Sequence, residues 1–117
     1  MSYHSIIRKN DKFKGVYVSS GTLLLDGFFE GDLKIDQLFV SETGTLSGTI
    51  TAKQVFVYGN LIADIETEKL HIKSSGKIQG NLLYATITVE EGAIILSKNM
   101  VNMSNEISLK RKLKNNS

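Results

Sequence analysis

Apolar and polar residues alternate along this chain in short bursts, and the bursts recur. Leu23/Leu25, Leu38/Val40, Val55/Val57, Leu70/Ile72 and Ile87/Val89 are each an apolar pair separated by one residue. Period-2 alternation over so few residues predicts short strands rather than helices. Between the pairs lies a second pattern, a glycine, an apolar residue two positions on, and a small residue two further. It reads Gly27-Phe-Phe-Glu-Gly31, Gly44-Thr-Leu-Ser-Gly48, Gly59-Asn-Leu-Ile-Ala63, Gly76-Lys-Ile-Gln-Gly80 and Gly92-Ala-Ile-Ile-Leu96. A degenerate copy, Asp11-Lys-Phe-Lys-Gly15, precedes them. Two residues after the closing small residue comes a third apolar position, filled by Tyr17, Leu33, Ile50, Ile65 and Leu82.

The opening glycines are spaced 17, 15, 17 and 16 residues apart. A repeat of that length is too short for a strand-helix-strand unit, which needs about 30 residues. Three short strands per repeat, turned at glycines and small polar residues, make one coil of a parallel β-helix. The predicted fold is all-β: a single-domain solenoid of about six coils with a triangular cross-section, each coil rising about 4.8 Å. Few apolar side chains are buried per coil, too few to offset the ordering of its residues, so a coil folds only in a stack. The expected division is a flexible segment over 1–10, the solenoid over 11–98 and a basic tail over 99–117.

Composition narrows the picture. The chain has 117 residues, 41% hydrophobic and 22% charged, as one globular domain would. It has no cysteine, which excludes a disulfide framework and a thiolate metal site and fits a reducing cytosol. No apolar run reaches the length of a membrane-spanning helix, and the start lacks a secretory apolar core. The net charge of +2 is unevenly placed. Arg8, Lys9, Lys12 and Lys14 face only Asp11 at one end, and Lys110, Arg111, Lys112 and Lys114 face only Glu106 at the other. The ends are basic and the body mildly acidic. Such ends are solvated termini or contacts to an anionic membrane surface. The tail has no interleaved aromatics on which bases would stack, so no nucleic-acid partner is expected.

Candidate chemistry is sparse. β-Helices include acyltransferases, but those keep a strict six-residue repeat and a catalytic histidine. Here the only histidines are His4 and His71. His71 lies between Leu70 and Ile72, so alternation points it outward, as a solvated surface histidine. Three imidazoles for a catalytic zinc are lacking. Asp64, Glu66 and Glu68 share one outward face, read as a solvated row rather than a cation site. Ser47 is not in a nucleophile elbow, and no glycine-rich phosphate loop opens a helix. No enzyme activity, cofactor or metal is expected.

The G-x-φ-x-G, G-x-I-x-A and V-x-V elements, clearest in "GTLSGTITAKQVFVYG" at 44–59, resemble the bactofilins over roughly residues 11 to 97. The resemblance implies a right-handed triangular β-helix that polymerises without nucleotide through its two ends. It also implies a bacterial cytoskeletal scaffold in cell shape, wall synthesis or motility, in the cytoplasm and often beneath the inner membrane. Members often carry a short apolar-basic targeting stretch near the N-terminus. Here Tyr3, Ile6, Ile7, Arg8 and Lys9 are the candidate membrane contact, weak and reversible on its own. Ile95 stands where the family's last coil usually has an aromatic.

A β-helix has two open edges, each a row of unpaired backbone groups over bare core side chains. The candidate polymerisation interface is Phe13, Tyr17 and Leu23 at the start, with Ile87, Val89, Ile94, Ile95 and Leu96 at the finish. Met100, Val101, Met103, Ile107, Leu109 and Leu113 are loosely helical in spacing and a candidate shield for the last coil. The leading expectation is a homopolymer joined through terminal coils, with cell-envelope or motility proteins as further partners. The alternative is a capped, non-polymerising β-helical module that binds a protein.

Overall fold

The computed structural model describes residues 5–97 and 99–102. Ten strands follow one another: β1 (Ser5–Ile7), β2 (Lys12–Val18), β3 (Thr22–Leu25), β4 (Phe28–Val40), β5 (Thr45–Val57), β6 (Asn60–Ile72), β7 (Lys77–Gln79), β8 (Leu82–Val89), β9 (Ile94–Leu96) and β10 (Met100–Asn102). No helix occurs among the described residues. Each strand pairs in parallel with a strand one coil away. The result is the predicted β-solenoid of about six coils.

Inside, like positions stack. One column is Phe13, Phe29, Leu46, Leu61, Ile78 and Ile95, and a second is Tyr17, Leu33, Ile50, Ile65 and Leu82. A third holds the alternating pairs, from Leu23/Leu25 to Leu70/Ile72. From Leu23 to Leu82 these side chains are buried, most of them fully. The alternation is strict in β6, where Leu61, Ala63, Ile65 and Thr67 are buried while Ile62, Asp64, Glu66 and Glu68 are exposed. Thr67 is the polar exception, and its hydroxyl donates to the Lys69 carbonyl.

The two glycines of a repeat do different jobs. Gly48 has φ +136, where L-side chains are strained, and a Cβ there would lie 1.9 Å from the Gly31 carbonyl oxygen. Gly44 needs no unusual φ. A Cβ on it would meet the Leu25 carbonyl oxygen at 2.3 Å, so stacking alone demands the missing side chain.

Register corrects two sequence readings. The last repeat, aligned on Gly92, is one residue out: Ile95, not Ile94, pairs with Ile78, and Ala93 takes the place of Gly76. Gly92, at φ +97, belongs to the preceding turn, which misleads an alignment anchored on glycines. The stack also includes strands outside 11–98. β1 pairs with β3, and β10 pairs with Leu82–Tyr84 of β8, so Met100 and Val101 are strand rather than helix. Met103, Ile107, Leu109 and Leu113 lie outside the described residues.

Candidate functional site: the two ends of the solenoid

The partly buried apolar residues around the core are Ile7, Phe13, Tyr17, Tyr84, Ile87, Ala93 and Ile95. All of them belong to the first or the last coils, and all but Tyr84, which lies between Thr67 and Asn102, have a stacking neighbour on one side only. The half-covered core therefore marks the ends directly. Backbone groups tell the same story. β1 and β2 have partners only toward the body, as do β9, β10 and the Thr86–Val89 part of β8.

At the first end, Phe13 stacks on Phe29 with centroids 5.0 Å apart and meets Tyr17 edge-on at 5.7 Å. The hydroxyls of Ser5 and Tyr17 hydrogen-bond to each other and tie β1 to β2. Leu23, expected in the interface, is fully buried because Ser5 of β1 lies over it. It offers nothing to a joint. Ile7 takes the end position of that column, in register with Leu25. The same inward packing removes Ile7 from the candidate membrane contact. Ile6 is 48% exposed, Arg8 and Lys9 are exposed, and Tyr3 lies outside the described residues.

At the second end, Ile95 and Ile87 point inward and are partly buried, whereas Val89, also inward by register, is about half exposed. Ile94 and Leu96 flank Ile95, so alternation turns them outward, where each is about half exposed. They belong to a side of the rod rather than to its end surface. Tyr84 and Ala93, which the sequence reading missed, complete the end. Tyr84 was legible in principle, because it continues the column Ile35, Ala52, Thr67 by register.

Charge differs between the ends. Lys12 and Lys14 are exposed at the first, Lys12 within 3.7 Å of Glu30 and 5.0 Å above the Phe28 ring. Glu90 and Glu91 mark the second, with Glu90 3.9 Å from Lys73. Exposed pairs of this kind stabilise little, about 0–1 kcal/mol each. Asp64, Glu66 and Glu68 project outward as expected, and no group of three or more His, Asp or Glu among the described residues is arranged to hold a metal.

His71 corrects the sequence reading in its surroundings, not in its direction. It points outward but stacks on Phe56 at 4.6 Å, and Phe56 stacks on Phe39 at 4.4 Å. Burial first, then the charges of Lys73 and Lys69, hold its pKa below the usual 6.5. No described helix is long and apolar enough to cross a membrane.

No curated protein and no solved structure matches the chain. A family profile does: Bactofilin, described as polymer-forming cytoskeletal, matches residues 5–99. That span runs from the first strand to just short of the last, and with it the chain belongs to the bactofilin family.

Proposed function

We propose that this chain is a structural protein, not a catalyst, that assembles end to end into filaments without nucleotide. The observation that carries the reading is the pair of half-covered ends, where Ile7, Phe13 and Tyr17 at one and Ile87 and Ile95 at the other are packed on the core with a paired strand on one side only. Joining two ends supplies that neighbour and pairs the free strand edges, the same contacts that hold one coil on the next. Nothing in the joint calls for a phosphate, and the chain has no phosphate-loop motif to bind one. The filament scaffolds envelope or motility proteins at the inner face of the cell membrane, with Ile6, Arg8 and Lys9 as groups available for the lipid surface. Each such contact is weak, and a polymer multiplies it.

Ile95→Arg tests the joint. In the free subunit the guanidinium reaches water, whereas in an end-to-end contact it is buried without a partner, which costs several kcal/mol. Wild type is expected to sediment as filaments equally with and without ATP or GTP. The variant is expected to keep its β-rich circular dichroism and to elute as a small species. Normal filaments from Ile95→Arg would place the joint on a side of the rod. A small, non-polymerising wild type would instead favour the capped binding module.

A further inference from the structure

The side of the rod that carries the aromatic stack has a charge order that the end-to-end contact does not use. By register, Ile6, Leu24, Phe39, Phe56, His71 and Thr88 form one outward column along six coils. Beside it runs a second row. The amides of Asp26, Ser41, Tyr58, Lys73 and Glu90 each donate to the residue ending the inward pair one coil back, namely Ile7, Leu25, Val40, Val57 and Ile72. Arg8 follows Ile7 and heads this row. From coil one to coil six the row therefore reads positive, negative, neutral, neutral, positive, negative. Reversed, it reads negative, positive, neutral, neutral, negative, positive. The row is its own electrostatic complement when turned end over end.

We propose that this face docks against the same face of a second copy of the chain, with the two rods antiparallel. A two-fold axis between the third and fourth coils sets Arg8 against Glu90 and Asp26 against Lys73, each twice. The Lys73–Glu90 pair of each copy is thereby extended to four charges, and a paired rod leaves only Lys9 of the basic stretch for lipid. The axis lays the half-buried Phe56 over the nearly covered Phe39, and Leu24 over His71. The parallel arrangement is disfavoured by the same residues, because it brings Lys69 of one copy onto Lys73 of the other and imidazole onto imidazole. The column supplies only modest contact, since Phe39 is 9% exposed and Leu24, Phe56 and His71 are half-buried, and the charged row supplies direction, as in other interfaces where charge fixes register more than strength. Five residues by six coils make a patch of about 400 Å² per copy, so the total is below the roughly 1,000 Å² of a stable pair. A lone pair is weak, and side-by-side filaments repeat it many times.

The absence of cysteine allows a clean test. Leu24→Cys and His71→Cys subunits are mixed in equal amounts under a mild oxidant, and disulfide-linked dimers are read on a non-reducing gel. The mixture is expected to cross-link several-fold more than either variant alone, because the axis brings position 24 of one copy to position 71 of the other. An end joint cannot produce this link, since coils two and five are not terminal, so the result stands whether or not the chain polymerises end to end. Asp26→Lys in the Leu24→Cys subunit is expected to cut the yield several-fold, and Lys73→Asp in the His71→Cys subunit to restore it. Equal cross-linking in mixed and unmixed samples, or no recovery on the charge swap, would overturn the proposal.

Discussion

Ile78 and Ile95 occupy the same column one coil apart, and both point inward. Ile78 is fully buried, whereas Ile95 is only partly covered. The side chains are identical, so the difference lies in the neighbours: Ile78 is flanked by Leu61 and Ile95, while Ile95 has Ile78 alone. Middle and end of this molecule are built from one recipe, and position in the stack alone decides which inward side chains stay half-covered. The two ends differ as well. The first is drawn together by β1, by the Ser5–Tyr17 hydrogen bond and by the Phe13–Phe29 stack. The second has β10 over Leu82 but leaves Ile87 and Val89 without a covering strand.

The same charge placed at Ile78 and at Ile95 should have opposite outcomes. Ile78→Arg buries a guanidinium in a core one side chain thick and is expected to cost about 4 kcal/mol or more, much of a small domain's stability. Circular dichroism and a melting curve should show it unfolded or aggregated, in contrast to the folded Ile95→Arg. If both variants melt like wild type, the inward register is wrong by one residue.

A milder contrast uses the glycine column. In Gly48→Ala the new methyl strikes the Gly31 carbonyl oxygen and adopts an unfavourable φ, whereas Gly15, with φ +138, has only the Phe13 ring edge 4.0 Å away. Gly15→Ala is expected to lose about 1–3 kcal/mol from backbone strain alone. Gly48→Ala should lose more, because a carbonyl on the neighbouring coil must also move. Chemical denaturation of the two variants measures the gap, and equal losses would mean that coil-to-coil clearance does not matter.

How much of this was legible beforehand follows from what repeats. The middle coils were readable because stacking forces each column to hold one residue class, and five near-copies expose the rule. Leu46, Ile50, Val55 and Val57 were placed inward from alternation alone. The ends were harder, since a terminal repeat has a neighbour on one side only and its sequence is freer. Gly92 shifted the last repeat by a residue, and β1 was missed because Ser5-Ile6-Ile7 is too short to show a period. The stacking of His71 was invisible for another reason. Alternation says which way a side chain points, but not that Phe56 occupies the same outward column one coil earlier.

The smallest expected effect concerns that histidine. Its folded-state pKa lies below the unfolded value of 6.5, so the folded chain resists protonation. This stability is present in full above pH 6.5 and declines as pH falls through the folded-state pKa, because the unfolded chain takes up the proton first. His71→Phe continues the Phe39–Phe56 stack without a titrating group. Between pH 7.5 and 5 the wild-type melting temperature should fall more than that of the variant. Parallel curves would show that the stack does not feel the charge.

Every ladder of the solenoid joins residues 15 to 18 apart. For a parallel sheet this is a short and constant separation, so adding coils lengthens the rod without lengthening the loops that must close. On the ribosome, at about 5–20 residues per second, a new coil's worth of chain emerges every one to three seconds and can wind onto the last. Each unfinished product then ends in a bare edge of the kind that the proposed end-to-end joint would cover. If the ends join as proposed, a nascent chain and a filament tip present the same chemistry to each other, so synthesis close to polymer would carry a built-in hazard of premature capture.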